Sequence, residues 1–383
     1  MLPTTITGVR SRVVDLPLPA EFRPAWGRGQ VQTSFFATIV EVETAGGTVG
    51  RTAAEAGPEA AVSIDRFVTP NLIGQDAAAP ERLIGILRDA EVLGSPVYCV
   101  EVALWDIVGK IAGLPAYKLW GAEKDRVPAY CATGEVRDAG RRVEDCARIL
   151  DEGFRAVKLR FHSDDVREDI AVVEAIGKQF GKRLAILVDA NQAGVLPGTG
   201  GHRQWSVQTA TEVALELERL DVTWLEEPLP RHDHDGLRRL RDRLGTLRLA
   251  GGENNHGIHE FRALIDDGCY DVLQPDAVLS EGVYQLRKVA ALAEAAGLLV
   301  APHTWTHGIG LLANLHLVAS IPNSSWFEFP HEPPGWPASA LSQMLAEKPW
   351  IDADGYLPVP DRPGFGIELD EELVERYTVA RFG

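Results

Sequence analysis

The sequence predicts an α/β protein built on a closed barrel of parallel strands, and two observations support this prediction. From about residue 127 onward, short apolar runs typical of strands alternate with stretches typical of amphipathic helices, which gives seven or eight units. Seven of these runs are each followed by a polar residue, at intervals close to one unit of an eight-unit barrel. These residues are Lys158, Asp189, Glu226, Glu253, Asp276, His303 and Glu328. An open doubly wound sheet is the competing fold, but it would gather its polar residues at one switch point.

The two ends of the chain have other patterns, and together with the barrel they predict three segments. Residues 1–125 contain two strand-like stretches followed by helical patterns, the clearest at 97–112. We expect this part to form a separate α+β unit and residues 126–330 to form the barrel. Residues 331–383 are rich in proline and glycine, and we expect them to fold back onto the N-terminal unit.

A polar, glycine-containing segment, residues 22–30, connects the first two predicted strands. Its bulky residue is Trp26, and Gly27 and Gly29 flank Arg28. Loops with a bulky anchor and glycine hinges often close over active sites, so this segment is a candidate lid. A plain surface connection is the alternative.

Composition and charge exclude several classes of function. The 383-residue chain has a net charge of −17, which argues against nucleic acid or an anionic membrane as a partner. Its four cysteines form no paired motif, no apolar run reaches the length of a membrane span, and no leader-like segment opens the sequence. We therefore expect a protein of the reducing cytoplasm.

Three carboxylates, Asp189, Glu226 and Glu253, follow consecutive predicted strands. Hard divalent cations prefer oxygen ligands, and three monodentate carboxylates would leave positions around Mg²⁺ for water and substrate oxygens. No cysteine–histidine cluster has the spacing of a zinc site. Each acid taken alone has a simpler explanation as a helix cap or a solvated charge. Their recurrence on three successive strands favours a Mg²⁺ site.

Asp276 and His303 follow the next two predicted strands. A carboxylate that holds one imidazole nitrogen fixes the tautomer and raises the basicity of the ring, which gives a general base that works near neutral pH. We therefore expect His303 to act as the base, with Asp276 as its partner. His307, His232 and His234 have no such neighbour in the predicted fold and stay unassigned.

Lys158, Arg160 and His162 alternate along one predicted strand, so their side chains point to the same face. Cations beside three acids suit a carboxylate substrate that a metal ion bridges to the protein. An ion-pair network that only stabilises the fold is the alternative.

Seven short motifs, in this order along the chain, resemble the signature of the enolase superfamily. Gly-Glu-Asn and the His/Asp pair resemble its mandelate racemase-like group, the mandelate racemase/muconate lactonizing enzymes. The motifs are Lys158-Leu159-Arg160, Val188-Asp189-Ala190-Asn191, Leu225-Glu226-Glu227-Pro228, Gly252-Glu253-Asn254, Pro275-Asp276-Ala277, Pro302-His303 and Trp326-Phe327-Glu328.

The resemblance implies a (β/α)7β modified TIM barrel under an N-terminal α+β capping domain that the C-terminal tail completes. It implies Mg²⁺ on Asp189, Glu226 and Glu253, and abstraction of the proton α to a substrate carboxylate to give a metal-stabilised enediolate. It further implies that Lys158 contacts the substrate carboxylate, and that Glu328 is protonated and donates a hydrogen bond near it. Members of this group commonly form oligomers of identical chains, so the resemblance implies a homo-oligomer.

Arg160 departs from the family pattern, which has a second lysine acting as a base at this position. A guanidinium stays protonated above pH 12, so it is a poor proton acceptor and a good clamp for carboxylates or hydroxyls. Racemisation needs a base on each face of the substrate carbon, whereas one histidine can take the α-proton and then deliver it to a departing β-hydroxyl. The sequence therefore favours a Mg²⁺-dependent dehydratase of acid sugars. An epimerase or racemase, a lactone cycloisomerase and a non-catalytic relative are the alternatives.

The polar residues around the predicted site suit a small polyhydroxylated carboxylate as the substrate. The residues that we expect to bind it are Arg160, His162, Asn191 and Trp305. We expect its specificity to depend on Trp305, on the segment 22–30, and on Arg51 and its neighbours.

Overall fold

The N-terminal part of the chain is an antiparallel sheet with helices, in a computed structural model that describes residues 1–27, 29–194 and 204–383. Of the candidate lid, only Arg28 lies outside the described residues. The strands are β1 (Ile6–Phe22), β2 (Gln32–Thr44) and β3 (Val49–Ala54). The helices are α1 (Pro58–Ser63), a π-helical turn (Ile64–Val68), α2 (Thr69–Leu72), α3 (Pro80–Leu93), α4 (Cys99–Ala112) and α5 (Ala116–Leu119).

Helix α4, which corresponds to the helix predicted at 97–112, lies directly against β3. A Cβ atom on Gly50 would come within 2.0 Å of the carbonyl oxygen of Ala103, so this close approach requires glycine. In the last turn of α4, Lys110 donates a 2.8 Å hydrogen bond to the carbonyl oxygen of Val49 and pairs with Asp106. The helix and the strand therefore form one unit.

Strands and helices alternate from Arg126 to Pro330. The strands are β4 (Arg126–Ala132), β5 (Ala156–Arg160), β6 (Ala185–Asp189), β7 (Trp224–Glu226), β8 (Arg248–Gly251), β9 (Val272–Leu273), β10 (Leu299–Val300) and β11 (Phe327–Pro330). The helices between them are α6 (Ala139–Asp151), α7 (Val166–Phe180) with a following 3-10 turn (Gly181–Arg183), α8 (Val207–Arg219), α9 (His234–Arg241), α10 (Gly257–Asp266), α11 (Val283–Ala295) and α12 (Gly308–Ala319).

The eight strands from β4 to β11 form one parallel sheet with the order β10-β9-β8-β7-β6-β5-β4-β11. Beyond the end of β10, Thr304 bridges to β11, since its backbone N–H and its hydroxyl donate to Glu328 at 2.7 and 2.9 Å. The predicted (β/α)7β modified TIM barrel with a cap is confirmed.

Several barrel helices begin at residues whose side chains accept hydrogen bonds from the first turn. Asp138, Asp165, Ser206 and Asp233 cap α6, α7, α8 and α9 in this way. Helix α12 differs from these amphipathic helices because all its residues are buried. Among the described residues, no helix combines the length and the apolar character that crossing a membrane requires.

The tail of the chain contacts both the barrel and the N-terminal sheet. Its elements are α13 (Ala338–Leu341), β12 (Tyr356–Pro358), α14 (Glu371–Tyr377) and β13 (Thr378–Phe382). Strand β12 pairs antiparallel with β4 of the barrel, and β13 pairs antiparallel with β1, so the N-terminal sheet has the order β13-β1-β2-β3. The division of the chain at residues 125 and 330 stays a prediction.

Candidate active site

The polar residues predicted at the strand ends converge at one end of the barrel. Asp189 and Glu226 are the last residues of β6 and β7 and are neighbours across the sheet, and Arg160 of β5 lies beside Asp189. The others follow from the ends of the next strands: Glu253 after β8, Asp276 after β9, His303 after β10, and Glu328 within β11. This convergence follows from the parallel fold, because the carboxyl ends of all the strands meet at one end.

A cavity of about 850 Å³ lies at this end and is lined by the barrel and by the N-terminal cap. The predicted residues that line it are Arg160, His162, Asn191, Glu253, His303 and Trp305. The other five are fully buried: Lys158, Asp189, Glu226, Asp276 and Glu328. The cap contributes Ala25, Trp26 and Glu55 to the lining.

The three predicted metal ligands lie at adjacent strand ends, with other polar groups around them. Asp189 pairs with Arg160, and Glu226 accepts hydrogen bonds from Lys158 at 2.7 Å and from the side-chain amide of Gln274 at 2.8 Å. Within the described part of the chain, no three histidine, cysteine or acidic side chains are close enough together to enclose a metal ion. Since Asp189 and Glu226 both pair with cations on β5, they are drawn towards that strand.

The donor set nevertheless suits a hard cation in its chemistry and its charge. All three side chains offer carboxylate oxygens, the ligand type that Mg²⁺ prefers. Burial raises the pKa of Glu226, and the charge of Asp189 adds to this although Lys158 opposes it. Burial also raises the pKa of the adjacent Glu227, with further contributions from Glu253 and Asp189. Burial is the larger cause of both raised pKa values and the neighbouring acids add to it, so a bound cation would stabilise the charged forms.

Lys158 is an internal cation between two acids. Its Nζ lies 2.7 Å from Glu226 Oε1 and 2.5 Å from Glu328 Oε1. Burial alone would lower the pKa of Lys158, but the charges of Glu226 and Glu328 outweigh it and raise the pKa. Lys158 therefore keeps its proton and is unsuited to act as a base.

Glu328 differs from the expectation that it is protonated and donates a hydrogen bond. Its Oε2 accepts a 2.7 Å hydrogen bond from the backbone N–H of Thr304, and its Oε1 faces Lys158. Burial would raise the pKa of Glu328, but the charges of Lys158 and His303 outweigh burial and lower it. Glu328 is therefore a carboxylate in this arrangement, because the neighbouring lysine stabilises its charge.

His303 and Asp276 form the expected pair. Nδ1 of His303 lies 3.1 Å from Oδ2 of the fully buried Asp276, and Nε2 lies 3.8 Å from Glu253. Burial would lower the pKa of His303, but the charge of Glu253 and the hydrogen bond with Asp276 raise it to about 10. With Nδ1 bonded to Asp276, Nε2 is the nitrogen available to exchange a proton with a molecule in the cavity.

Arg160 is held on several sides. Its Nε donates a 2.7 Å hydrogen bond to the carbonyl oxygen of Thr133, and its Nη1 bonds to Asp189. The guanidinium carbon lies 4.8 Å from the ring centroid of Trp26 and 5.4 Å from that of Trp305, both within cation–π range. The charge of Asp189 also overcomes the effect of burial and raises the pKa of Arg160. This wall of the cavity therefore presents a fixed cation that cannot accept a proton.

The candidate lid is attached to the barrel at the mouth of the cavity. The backbone N–H of Ala25 donates a 2.8 Å hydrogen bond to the carbonyl oxygen of Gly134. The ring of Trp26 meets Trp305 edge-on, with 5.0 Å between the ring centroids. The described part of the segment thus forms one wall of the cavity, and its opening and closing stay a prediction.

Arg51 does not line the cavity. Its Nε donates a 3.0 Å hydrogen bond to Glu41 Oε1, and its backbone N–H donates to Asp106, so it belongs to the sheet of the cap. Glu55, just after β3, does line the cavity. No motif in the sequence marks Glu55, since its position depends on how the cap packs on the barrel.

Comparison with known proteins identifies the family. Residues 13–121 match the mandelate racemase / muconate lactonizing enzyme N-terminal domain, and residues 141–373 match the enolase C-terminal domain-like family. The chain belongs to the mandelate racemase/muconate lactonizing enzyme family. The predicted superfamily and group are thereby confirmed.

Three relatives illustrate the activities found in the mandelate racemase/muconate lactonizing enzyme family. The chain is 30% identical to a 3,6-anhydro-alpha-L-galactonate cycloisomerase from Streptomyces coelicolor, over 98% of this chain and 99% of that protein. It is 29% identical to an arabinonate dehydratase from Saccharolobus solfataricus, over 88% and 89%. A solved structure of L-talarate dehydratase from Polaromonas sp. JS666, complexed with Mg and L-glucarate, is 30% identical, with a TM-score of 0.82 and 98% of each chain covered.

These names agree with the chemistry predicted from the sequence. Dehydration of an acid sugar is the leading prediction, and the dehydratases among the relatives carry out this reaction. Lactone cycloisomerisation is one of the alternatives, and the cycloisomerase corresponds to it. The roles of individual residues in this member of the mandelate racemase/muconate lactonizing enzyme family rest on the geometry described above.

Proposed function

We propose that the protein is a Mg²⁺-dependent dehydratase of acid sugars. In this reaction the substrate loses the proton on the carbon next to its carboxylate and the hydroxyl on the following carbon, which leave together as water. The enol that results tautomerises to a 2-keto-3-deoxy acid.

The observation that supports dehydration over racemisation is the contrast between His303 and Arg160. Both side chains line the cavity, but only His303 can accept a proton, because Arg160 is a permanent cation that pairs with Asp189 and packs against two indole rings. Racemisation and epimerisation need a proton acceptor on one face of the carbon and a proton donor on the other. A site with one base suits a reaction that takes and returns its proton on one face.

His303 is the proposed base, acting through Nε2. It takes the α-proton, and the imidazolium that forms delivers this proton to the departing β-hydroxyl. The charges of Glu253 and Asp276, which raise the pKa of His303, stabilise the imidazolium once it has formed. A Mg²⁺ ion held by Glu253 would offset the first of these charges and lower the pKa, so that the ring can be neutral before the reaction. Asp276 holds the ring in orientation through Nδ1.

Asp189, Glu226 and Glu253 would hold the Mg²⁺. When bound, the ion supplies positive charge beside the substrate carboxylate, where negative charge builds up as the α-proton leaves. Lys158 supplies a second, permanent positive charge to the same region. Glu328 keeps Lys158 in place through the ion pair between them.

Lactone cycloisomerisation is the second candidate, and one finding favours it. The relative that is 30% identical over nearly the whole chain is named as a cycloisomerase. A cycloisomerase can also use one base on one face, so the identity of Arg160 does not separate it from a dehydratase. That the protein acts as a homo-oligomer in the cytoplasm stays a prediction.

The test is a library of acid sugars and their lactones, incubated with Mg²⁺ and read by a 2-keto acid assay and by NMR in D₂O. A dehydratase gives a 2-keto-3-deoxy acid, and its recovered substrate keeps the original configuration at the α-carbon. Accumulation of the epimer, or of an isomer that keeps all its oxygen atoms, would contradict dehydration. Activity that survives both removal of Mg²⁺ and Glu226→Gln would contradict the proposed metal site.

A further inference from the structure

Glu55 is an acid that the cap contributes to the cavity and that the proposed reaction does not use. It directly follows Ala54, the last residue of β3, and its side chain is exposed to solvent. It lines the cavity together with Glu253, Asn254, Leu279 and His303. The cap therefore contributes a carboxylate to the cavity that the proposed base also lines.

Glu55 interacts electrostatically with the proposed base and its neighbours. Although part of the residue is exposed to solvent, the protein groups around its carboxylate raise its pKa to about 7, chiefly by reducing its solvation. The charge of His303 opposes this shift, and the charges of Asp276 and Glu253 add to it. These three residues follow β8, β9 and β10, whereas Lys158 and Arg160 belong to β5.

The position of Glu55 corresponds to the far end of a substrate. An acid sugar whose carboxylate lies near the buried Lys158, at the strand ends, has its α-carbon near His303. The rest of its chain must then extend away from the strand ends, towards the cap. A carboxylate there can accept hydrogen bonds from hydroxyl groups, but it repels a second carboxylate, because both groups are negatively charged.

We propose that Glu55 selects aldonates, whose far end is a hydroxymethyl group, over aldarates, which carry a second carboxylate at that end. The inference rests on the proposed function for the orientation of the substrate. It narrows the substrate class from acid sugars in general to monocarboxylates.

Arg231 and His232 also line the cavity and represent the opposite possibility, since cations there would attract a second carboxylate. Arg231 is engaged with the protein: its Nη1 donates a 2.7 Å hydrogen bond to the carbonyl oxygen of Asn254, and its Nε lies 3.3 Å from His232 Nε2. Glu55, by contrast, interacts electrostatically with the proposed base, since the charge of His303 lowers its pKa. The two possibilities predict opposite preferences in the unaltered protein.

The test compares aldonates with the aldarates of the same configuration, by calorimetric binding in the presence of Mg²⁺ and by turnover. We expect the unaltered protein to favour the aldonate and Glu55→Gln to reduce this preference at least about tenfold. Glu59→Gln removes the same charge from an exposed site on α1 and should leave the preference unchanged.

Three results would overturn the inference: preference of the unaltered protein for the aldarate, a preference that Glu55→Gln changes less than twofold, or binding of neither anion. Failure of the proposed function gives a different result. In that case no acid sugar in the library yields a 2-keto-3-deoxy acid. The binding preference for aldonates over aldarates can still be measured in the unaltered protein and in the two variants.

Discussion

The side-chain amide of Asn314 donates a 3.1 Å hydrogen bond to Oδ1 of Asp276, while the other oxygen of this carboxylate faces His303. Asn314 also donates to the carbonyl oxygen of His303 at 3.1 Å and accepts a hydrogen bond from the backbone N–H of Ala277. It lies in the fully buried helix α12. One amide thus holds both the side chain of the acid and the backbone of the proposed base.

Asn314→Ala should lower kcat about 10- to 100-fold with little change in KM, because the imidazole loses its orientation rather than its contact with substrate. The unfolding free energy should fall by about 1–3 kcal/mol, since buried partners lose their hydrogen bonds. Asn323→Ala is the matched control, because Asn323 also donates to two backbone carbonyls, those of Ala290 and Leu298. The control should lose stability and keep kcat, and equal kcat values for the two variants would exclude a positioning role.

His303→Asn should reduce turnover by about 10²- to 10⁴-fold, the usual contribution of a general base. Calorimetric affinity for Mg²⁺ should stay within about threefold, because the proposed ligands are untouched. His259→Asn, at an exposed position of α10, is the control and should have normal activity. Turnover that survives in His303→Asn would place the base elsewhere.

Arg160→Lys should allow some inversion at the α-carbon, since lysine can accept a proton and lacks the planar group that packs against Trp26 and Trp305. The readout is the epimer of the remaining substrate, separated by chromatography or resolved by NMR. The unaltered protein should form none. Epimer formed equally by both proteins would show that Arg160 does not block the second face.

Gln274→Leu should weaken Mg²⁺ binding about 10- to 100-fold, because the buried amide of Gln274 orients Glu226 through a 2.8 Å hydrogen bond. The measurement is a calorimetric Mg²⁺ titration without substrate. Gln285→Leu removes a buried amide that binds Glu81 and should leave the affinity unchanged. The same affinity in both variants would argue against Glu226 as a ligand.

The contributions of His316 and His307 to stability should fall as the pH decreases below about 6.5, because both are buried in their neutral form, whereas buried acids with a raised pKa, such as Glu101, act in the opposite direction. Burial lowers the pKa of His316 to about 3 and that of His307 to about 4. The two histidines bind protons near pH 6.5 in the unfolded chain but stay neutral in the folded chain. Each histidine therefore lowers the free energy of unfolding by up to about 1.4 kcal/mol per pH unit below that value. Chemical unfolding between pH 7 and 5 should show a smaller slope for His316→Asn and an unchanged slope for the exposed His259→Asn. Identical slopes in all three proteins would refute this assignment.

The sequence was sufficient to predict the barrel and the residues at its strand ends. In a parallel barrel the position of a residue relative to its strand determines where its side chain lies, so Asp189 and Glu226 could be placed from short apolar runs alone. The pairing of His303 with Asp276 followed from the same rule. Periodicity also located α4 to within about two residues at each end.

Other parts of the site depend on packing between segments that are distant in sequence. Glu55 and Trp26 reach the cavity only because the cap lies over the barrel, and no local pattern encodes that arrangement. Asn314 lies in the middle of an apolar helix, where an isolated amide gives no sign of its partner. The charge of Glu328 could not be predicted from the sequence, because it depends on the 2.5 Å contact with Lys158, which spacing alone does not provide.

The pairing of β13 with β1 means that the polypeptide crosses between barrel and cap twice, once before β4 and once after β12. The cap is therefore tethered at two points and cannot swing away from the barrel about a single hinge without straining one of them. We expect substrate to enter through local displacement of the segment that carries Ala25 and Trp26, while Glu55, next to a paired strand, keeps its place. The cavity would then have one adaptable wall and one rigid wall.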